Sequence, residues 1–287
     1  MGTLRERAQQ LKEKRPGYGA LLDFYVAVRE SQVASRSSVR VDSVTVKKNG
    51  KGLLTEEGFS LVEKENFPVD MEASIDLFRS LCRVGSAANP YFATQVNKID
   101  QALHDGTMDL KALCTGGGRE QTIEQVAADR RLDKQVLSFL VRSSTRPSIE
   151  AGMEHLRGEL DPETWRKGVC PVCGSLPSLS LLKGEEGRRN LLCSFCGYQW
   201  RTDRLSCPAC NNKDQESLGY FCGEGEETFR IDLCDRCHRY IKTIDYRNLE
   251  ESDPCLEDLA TLHLDVLAAQ KGYRRAAPNP WTSCRGE

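Results

Sequence analysis

Four Cys-x-x-Cys pairs between residues 170 and 237 are the part of this sequence best suited to chemistry. A short link, residues 197–206, separates the second pair from the third, and longer spacers, residues 174–192 and 211–233, separate the other neighbours. The chain therefore carries a tandem repeat, and each repeat supplies four thiolates, which is a complete tetrahedral ligand set. The four pairs are Cys170/Cys173, Cys193/Cys196, Cys207/Cys210 and Cys234/Cys237.

The local sequence of each pair favours metal binding. Two intervening residues allow a tight turn to direct both sulfur atoms at one ion, and such a turn needs a positive φ just after the second cysteine. The residues found there are the types that tolerate positive φ best, namely Gly174, Gly197, Asn211 and His238. We predict sequential sharing, with the first two pairs around one ion and the last two around the other. An interleaved cross-brace is the alternative.

The donor set limits the chemistry. Four thiolates suit Zn²⁺ and also mononuclear iron, and they leave no open position for hydrolytic catalysis. From spacing alone, ions that only stabilise a small domain are favoured over redox-active ions. We therefore predict no catalytic residues. Four nearby arginines could offset the negative charge of the thiolates: Arg201, Arg204, Arg236 and Arg239.

Two other interpretations of these cysteines are weaker. The segment Cys234-Asp-Arg-Cys237-His238 matches the attachment pattern of c-type haem, but the N-terminus shows no export signal. The Cys-Pro-x-Cys pairs at 170 and 207 superficially suggest dithiol redox motifs. They lack the βαβ surroundings of such motifs, so metal binding is the preferred interpretation.

The first part of the chain, residues 1–165, is predicted to be an α-helical domain. Apolar residues recur there at helical spacing. Asp70 is placed to begin one helix and Gly85 to end it. Another helix is expected to end before Arg146-Pro147, with Ser148 beginning the next. The apolar stripes comprise Leu21, Leu22, Phe24, Tyr25 and Val28; Met71, Ile75, Phe78, Leu81 and Cys82; Ile123, Val126 and Ala127; and Val136, Leu137 and Leu140.

The composition changes near Trp165, after which helical periodicity disappears as far as Lys242. We predict a multi-domain α+β fold in which two tandem rubredoxin-like or zinc-ribbon modules, residues 166–203 and 204–250, follow the helical domain. Residues 251–287 form a C-terminal helix and tail. Asp253 and Pro254 are suited to begin that helix and Gly272 to end it.

Charge and hydropathy exclude several classes of protein. The 287 residues contain 40 Lys and Arg against 42 Asp and Glu, a net charge of −2, which argues against binding nucleic acid by phosphate neutralisation. No apolar run approaches the roughly 20 residues that span a bilayer, so no membrane insertion and a cytoplasmic location are expected. Trp200 with Arg201 and Arg204 could form an aromatic and basic surface for nucleic acid, although packing of Trp200 in a small core is preferred.

Several segments of the chain together form a specific pattern. They are Cys170-Pro-Val-Cys173-Gly-Ser, Leu192-Cys-Ser-Phe-Cys-Gly-Tyr-Gln-Trp200, Arg204-Leu-Ser-Cys207-Pro-Ala-Cys210, Cys234-Asp-Arg-Cys237-His-Arg-Tyr-Ile-Lys242, the C-terminal Leu264-Asp265, Gly272-Tyr273-Arg274-Arg275 and Asn279-Pro280, and Phe67-Pro68-Val69-Asp70. This pattern resembles the FdhE family of formate dehydrogenase accessory proteins. The resemblance covers most of the chain and is most specific from residue 170 to 280.

The resemblance implies a helical domain followed by two rubredoxin-like ribbons, in a cytoplasmic protein that is not an enzyme. It further implies iron in the two four-cysteine sites and binding to the molybdenum- or tungsten-containing catalytic subunit of a respiratory formate dehydrogenase before export. Our first hypothesis is accordingly a maturation factor for that enzyme. A zinc-ribbon nucleic-acid binder and a rubredoxin-like electron carrier are the alternatives.

Overall fold

The computed structural model describes residues 2–42, 44, 59–115, 120–160 and 165–281. The turn that the sequence suggests at Asn49-Gly50 lies outside the described residues. The chain forms two compact units. The helical unit comprises Gly19–Thr45, Glu63–Leu156 and Asn279–Glu287, and the ribbon unit comprises Met1–Tyr18, Val46–Val62 and Arg157–Pro278.

Within the described residues, the helical unit is built from six α-helices around one apolar core. The core holds the predicted stripe residues Phe78, Leu81 and Cys82, together with Leu137 and Leu140. Burial raises the pKa of the Cys82 thiol to about 12, as expected for a core cysteine. The helices are α2 (Gly19–Arg36), α3 (Met71–Ala88), α4 (Pro90–His104), α5 (Leu110–Cys114), α6 (Glu120–Arg130) and α7 (Lys134–Leu156).

Helix α3 begins where the sequence predicts but does not end there. The Asp70 side chain accepts a hydrogen bond from the Ala73 N–H at 3.0 Å, which confirms it as the N-cap. The prediction that Gly85 ends the helix is wrong, because α3 continues to Ala88. A Cβ at Gly85 would lie 2.2 Å from the Phe92 ring. The glycine therefore serves close packing of α4 against α3.

Helix α7 runs through Pro147, so the prediction that a helix ends before Arg146-Pro147 is also wrong. A proline inside a helix lacks the N–H that would bond the carbonyl four residues earlier, here that of Ser143. The Gln32 side-chain amide donates to this carbonyl at 2.8 Å and replaces the missing partner. Ser148 begins no new helix, and its hydroxyl instead accepts from the Asp70 N–H at 3.1 Å.

Replacing Gln32 by leucine is expected to lower the free energy of unfolding by about 1–3 kcal/mol, because the buried Ser143 carbonyl loses its partner. In a Pro147→Ala background the restored N–H can bond Ser143, so the same change should cost less. A double-mutant cycle by chemical denaturation measures the difference. Equal costs in the two backgrounds would contradict this account.

The ribbon unit contains one mixed sheet in the order β3-β2-β1-β6-β5-β4, with β7 beside β6. The two ribbons predicted as tandem modules are joined in it, because β1 and β6 pair in parallel from Leu179 opposite Lys242 to Leu182 opposite Asp245. This pairing covers two strand edges that separate ribbons would leave open. The strands are β1 (Pro177–Lys183), β2 (Arg188–Cys193), β3 (Gln199–Arg201), β4 (Leu218–Cys222), β5 (Phe229–Cys234), β6 (Arg239–Asp245) and β7 (Arg274–Arg275).

In the part of the ribbon unit that the structure describes, three α-helices accompany the sheet: α1 (Leu4–Lys14), α8 (Pro254–Leu259) and α9 (Leu262–Gln270). The Asp253 side chain accepts from the Cys255 N–H at 2.9 Å, which confirms the predicted start of α8. The single C-terminal helix predicted from the sequence is wrong, since the chain breaks between α8 and α9. Leu264 and Ala268 of α9 pack with Ile231 and Ile244 of the sheet.

A buried ion network accompanies this break. The ammonium group of Lys242, fully buried, lies 3.0 Å from each of the Asp258 and Thr261 carbonyl oxygens. It is also 2.7 Å from the Asp258 carboxylate and 2.6 Å from that of Asp265. Arg275 contacts the same two carboxylates, so two cations balance two anions. We infer that the ammonium favours the break, because it binds carbonyls at the end of α8.

Acid is expected to weaken this network at a predictable pH. Burial alone would raise the pKa of Asp258, but Arg275 and Lys242 outweigh it and hold that pKa below its usual value of 3.8. A carboxylate whose pKa is lower in the folded chain than in the unfolded chain stabilises the fold at pH values above its unfolded-state pKa. This stabilisation is lost as pH falls below about 4. Unfolding free energies measured from pH 6 to 2 should therefore fall less steeply in Asp258→Asn than in the parent. Parallel curves would contradict the assignment.

Candidate metal centres

The first cysteine cluster lies where two turns approach each other. Cys170 and Cys173 belong to the turn before β1, Cys193 ends β2, and Cys196 lies in the turn that leads to β3. The Cys173 Sγ is 3.4 Å from the Cys193 Sγ and 3.7 Å from the Cys196 Sγ. The Cys170 Sγ is 3.7 Å from the Cys196 Sγ. All four side chains are buried.

The second cluster repeats the arrangement in the second ribbon, at the start of β6, which runs parallel to β1. Cys207 and Cys210 lie in the turn after residue 203, Cys234 ends β5, and Cys237 precedes β6. The Cys207 and Cys237 sulfur atoms are 3.7 Å apart, as are those of Cys210 and Cys234. The cysteines are thus grouped as sequential pairs, as the tandem repeat predicts, and not as an interleaved cross-brace.

The predicted positive-φ residues all have that conformation. Gly174 has φ of +71° and Gly197 of +73°, while Asn211 has +57° and His238 has +51°. The resulting turns place backbone N–H groups near sulfur: those of Phe195 and Cys196 both lie 3.4 Å from the Cys193 Sγ. The Asn212 side-chain amide lies 3.6 Å from the Cys234 Sγ. These donors spread negative charge on the sulfur atoms.

The sulfur spacing fits a tetrahedral metal ion. Bonds of about 2.3 Å from a central ion to four thiolates place neighbouring sulfurs about 3.8 Å apart. The observed separations of 3.4 and 3.7 Å are close to this value and far above the roughly 2.05 Å of a disulfide. Both clusters can therefore accept a metal ion with little rearrangement. The donor set by itself suits zinc and iron equally.

The buried surroundings of the thiols support the need for a cation. In the first cluster, burial followed by thiol contacts raises the pKa of Cys170 well above its usual value. Hydrogen bonds from Cys170, Cys193 and Cys196 lower the pKa of Cys173. Burial thus opposes the accumulation of negative charge on the sulfur atoms of this cluster. Four thiolates can coexist there only if a bound cation compensates them.

The two clusters differ in exposure. The first is closed on all sides, with Cys170 and Cys196 each 0% exposed. In the second, Cys207 and Cys234 are buried, but Cys210 is exposed and Cys237 is partly so. Burial also raises the pKa of Cys207. For Cys234, N–H donors of Cys237 and Asn212 outweigh burial and lower the pKa. Solvent can therefore reach the second centre directly.

A buried arginine that the sequence analysis missed fixes the link between the clusters. The Arg189 guanidinium donates to the Ser180 hydroxyl at 3.0 Å and to the carbonyls of Ser206 at 2.7 Å and Arg204 at 3.3 Å. It is only 3% exposed. One arginine within a strand gives no signal in a single sequence, because its partners lie in a distant loop.

Trp200 is also buried, and its indole N–H donates to the Lys167 carbonyl at 2.9 Å. This confirms the preferred interpretation of packing and removes the aromatic surface that motivated a nucleic-acid binder. Across the described ranges, from residue 2 to 281 with their gaps, no helix has the length and apolar character needed to cross a membrane.

Comparison with known proteins assigns the two cysteine-containing regions. Residues 169–204 match the family model described as "FdhE, central domain", and residues 205–282 match "FdhE, C-terminal domain". The boundary between these matches falls between the two clusters. Each matched region contributes two of the four Cys-x-x-Cys pairs: the first two to the central domain and the last two to the C-terminal domain.

Individual relatives agree. The chain is 34% identical over 151 residues to "Protein FdhE homolog" of Aquifex aeolicus, covering 52% of this chain and 53% of the relative. It is 36% identical over 123 residues to "Protein FdhE homolog" of Rhizobium meliloti, and this match covers 40% of this chain and 39% of the relative. The chain thus spans about half or less of the relatives' length in these matches.

A solved structure matches the fold over nearly its whole length. The crystal structure of the FdhE protein from Pseudomonas aeruginosa superposes with a TM-score of 0.71 at 21% identity, covering 98% of this chain and 94% of that one. At this identity the match speaks for the fold alone. Together with the two domain matches, it leads to one conclusion: residues 169–282, which hold the paired cysteines, are similar to the central and C-terminal domains of FdhE proteins, and the fold of the chain is similar to that of a solved FdhE protein.

Proposed function

We propose that this protein is an accessory factor in the maturation of formate dehydrogenase and not an enzyme. It would act in the cytoplasm and bind the immature catalytic subunit of a respiratory formate dehydrogenase before export. The observation that carries the proposal is the match to two FdhE domain models in the region that contains both cysteine clusters. The closed geometry of four thiolates supports it, since neither cluster leaves a coordination position for substrate.

The eight paired cysteines would act as thiolate ligands. Cys170, Cys173, Cys193 and Cys196 would hold one ion, and Cys207, Cys210, Cys234 and Cys237 the other. A bound ion would crosslink the two turns of its ribbon and so stabilise the surface that the ribbon presents. Iron is favoured by the family resemblance, and zinc fits the same donors. An iron–thiolate absorption band in protein purified from its own host would distinguish the metals.

A pull-down tests the proposal. The tagged chain is recovered from its native host, grown anaerobically on formate or nitrate, and the co-purifying proteins are identified by mass spectrometry. We expect a formate dehydrogenase catalytic subunit to be enriched, and to be lost when Cys170 and Cys173 are both changed to serine, because the first ribbon loses its ion.

The matched control is Cys255→Ser, which changes a thiol outside both clusters and should retain the partner. Enrichment of nucleic acid or ribosomal material, with no dehydrogenase subunit under either growth condition, would overturn the proposal in favour of the nucleic-acid alternative. Equal enrichment with the double cysteine variant would show that the partner does not depend on the first ribbon.

A further inference from the structure

A groove lies on the face of the second ribbon that α8 and α9 do not cover. Its volume is about 310 Å³, at the lower end of the range for ligand sites. Loop residues 204–209 form one wall, and Leu218, Gly219 and Tyr220 of β4 form another. Arg230 and Asp232 of β5 contribute to the floor. The groove therefore opens along the last strand of the sheet.

That last strand has a free backbone edge. Among the described residues, β4 pairs only with β5, with Tyr220 opposite Asp232. The Asp235 N–H bonds the Ser217 carbonyl at 3.0 Å, so by the alternation of an antiparallel ladder Gly219 and Phe221 also bond toward β5. The N–H and C=O of Tyr220 consequently point away from the sheet. Gly219 and Tyr220 are both exposed, so this edge is accessible.

Exposed apolar side chains flank this edge. Tyr220 is 67% exposed and Leu205 is 56% exposed, and both line the groove. The Arg230 guanidinium lies over the Tyr220 ring, 5.2 Å from its centroid. Tyrosine and arginine are among the residue types enriched at positions that anchor a protein partner. The groove thus combines an open strand edge with side chains suited to hold a second chain.

The charge of the groove selects the partner. Away from the cysteine cluster, three guanidinium groups, those of Arg189, Arg204 and Arg230, line it against the single carboxylate of Asp232. The Asp232 carboxylate forms ion pairs with two of them, at 2.8 Å from the Arg230 guanidinium and 3.5 Å from the Arg189 guanidinium. At the other end, Cys207, Cys234 and Arg239 line the groove, and the net charge of −2 of four thiolates around a divalent ion would outweigh the single arginine there. Acidic groups of a ligand are therefore favoured at the Arg230 end.

We propose that this groove is a docking site for an extended acidic segment of a partner protein, which adds as a further strand to the free edge of β4. Its backbone bonds the outward N–H and C=O of Tyr220, and its acidic side chains contact Arg230 and Arg204. This mode takes affinity from main-chain hydrogen bonds and specificity from alternate side chains. The inference does not depend on which protein supplies the segment.

The first test uses a labelled ten-residue peptide of alternating glutamate and valine and the metal-loaded full chain. Fluorescence anisotropy should show saturable binding that weakens with salt, and a lysine–valine peptide should not bind. Two peptides are N-methylated at alternate residues, one at the odd positions and one at the even positions. Only one of them should lose binding, because every second N–H of an added strand points toward β4 and the others point away from it. Unchanged binding of both methylated peptides would overturn the strand-addition proposal.

The second test uses variants of the protein. Arg230→Gln and Tyr220→Ser should each weaken binding about tenfold or more, because each removes a contact in the groove. The matched controls Arg188→Gln and Val266→Ser change an exposed arginine and an exposed apolar residue outside the groove and should leave binding unchanged. Unchanged metal content and circular dichroism confirm that the variants are folded.

Three further results would overturn the proposal. The first is absence of binding by the acidic peptide at any salt concentration. The second is equal loss of binding in the control variants. The third is full displacement of the peptide by millimolar inorganic phosphate without any effect of N-methylation, which would indicate a small-anion site in place of a docking groove.

Discussion

A chelator is expected to remove one metal ion per chain rapidly and the second at least about a hundredfold more slowly, with the rapid ion coming from the Cys207, Cys210, Cys234 and Cys237 centre. A chelator can attack that centre directly, because Cys210 is exposed and Cys237 is partly exposed. The first centre is fully buried, so attack on it requires local opening. An opening that costs about 3 kcal/mol slows release about a hundredfold.

The measurement is release of metal from the fully loaded chain into a chromogenic chelator, followed over time. Mass spectrometry after brief alkylation should find Cys210 and Cys237 modified before any cysteine of the first centre. Cys222 and Cys255, which belong to neither cluster and are partly exposed, report reaction that is independent of metal. Release of both ions at one rate, or earlier alkylation of Cys170 and Cys173, would contradict the prediction.

The second large effect is expected from Lys242→Met, which should lower the free energy of unfolding by about 3–5 kcal/mol. Removal of one member of a buried ion network leaves the opposite charge uncompensated. Here Asp258 and Asp265 would retain only Arg275 as a cation, and the carbonyls of Asp258 and Thr261 would lose their donor. Chemical denaturation of the metal-loaded chain measures the change.

The matched control is Lys183→Met, on the adjacent β1. Lys183 forms a partly exposed ion pair with Glu251 at 2.9 Å, so its loss should cost at most about 1 kcal/mol. Adding Asp265→Asn to Lys242→Met should recover part of the stability, since it removes one uncompensated carboxylate. A cost for Lys242→Met no larger than that of the control would show that the network does not hold α8 and α9 on the sheet.

Local chemistry in this protein could be predicted from the sequence alone. The spacing of the Cys-x-x-Cys pairs, and the Gly, Asn and His residues after them, indicate four turns of one kind, and the structure groups the sulfurs as the repeat predicts. The caps at Asp70 and Asp253 were likewise predictable. Each turn and each cap depends on residues within a few positions of one another, so the local sequence is sufficient to predict it.

Features that depend on partners distant in the chain were decided only by the tertiary structure. Helix α7 continues through Pro147 because Gln32 bonds the Ser143 carbonyl, and α3 continues through Gly85 because the Phe92 ring needs the space. The C-terminal helix breaks where a lysine of β6 binds its carbonyls. The two ribbons share one sheet because β1 and β6 each offer an edge that the other covers. In each case the local sequence pattern favours one structure. A group far away in the sequence then changes the outcome, because it bonds a backbone group that the local pattern leaves unpaired or occupies space that the local pattern leaves empty.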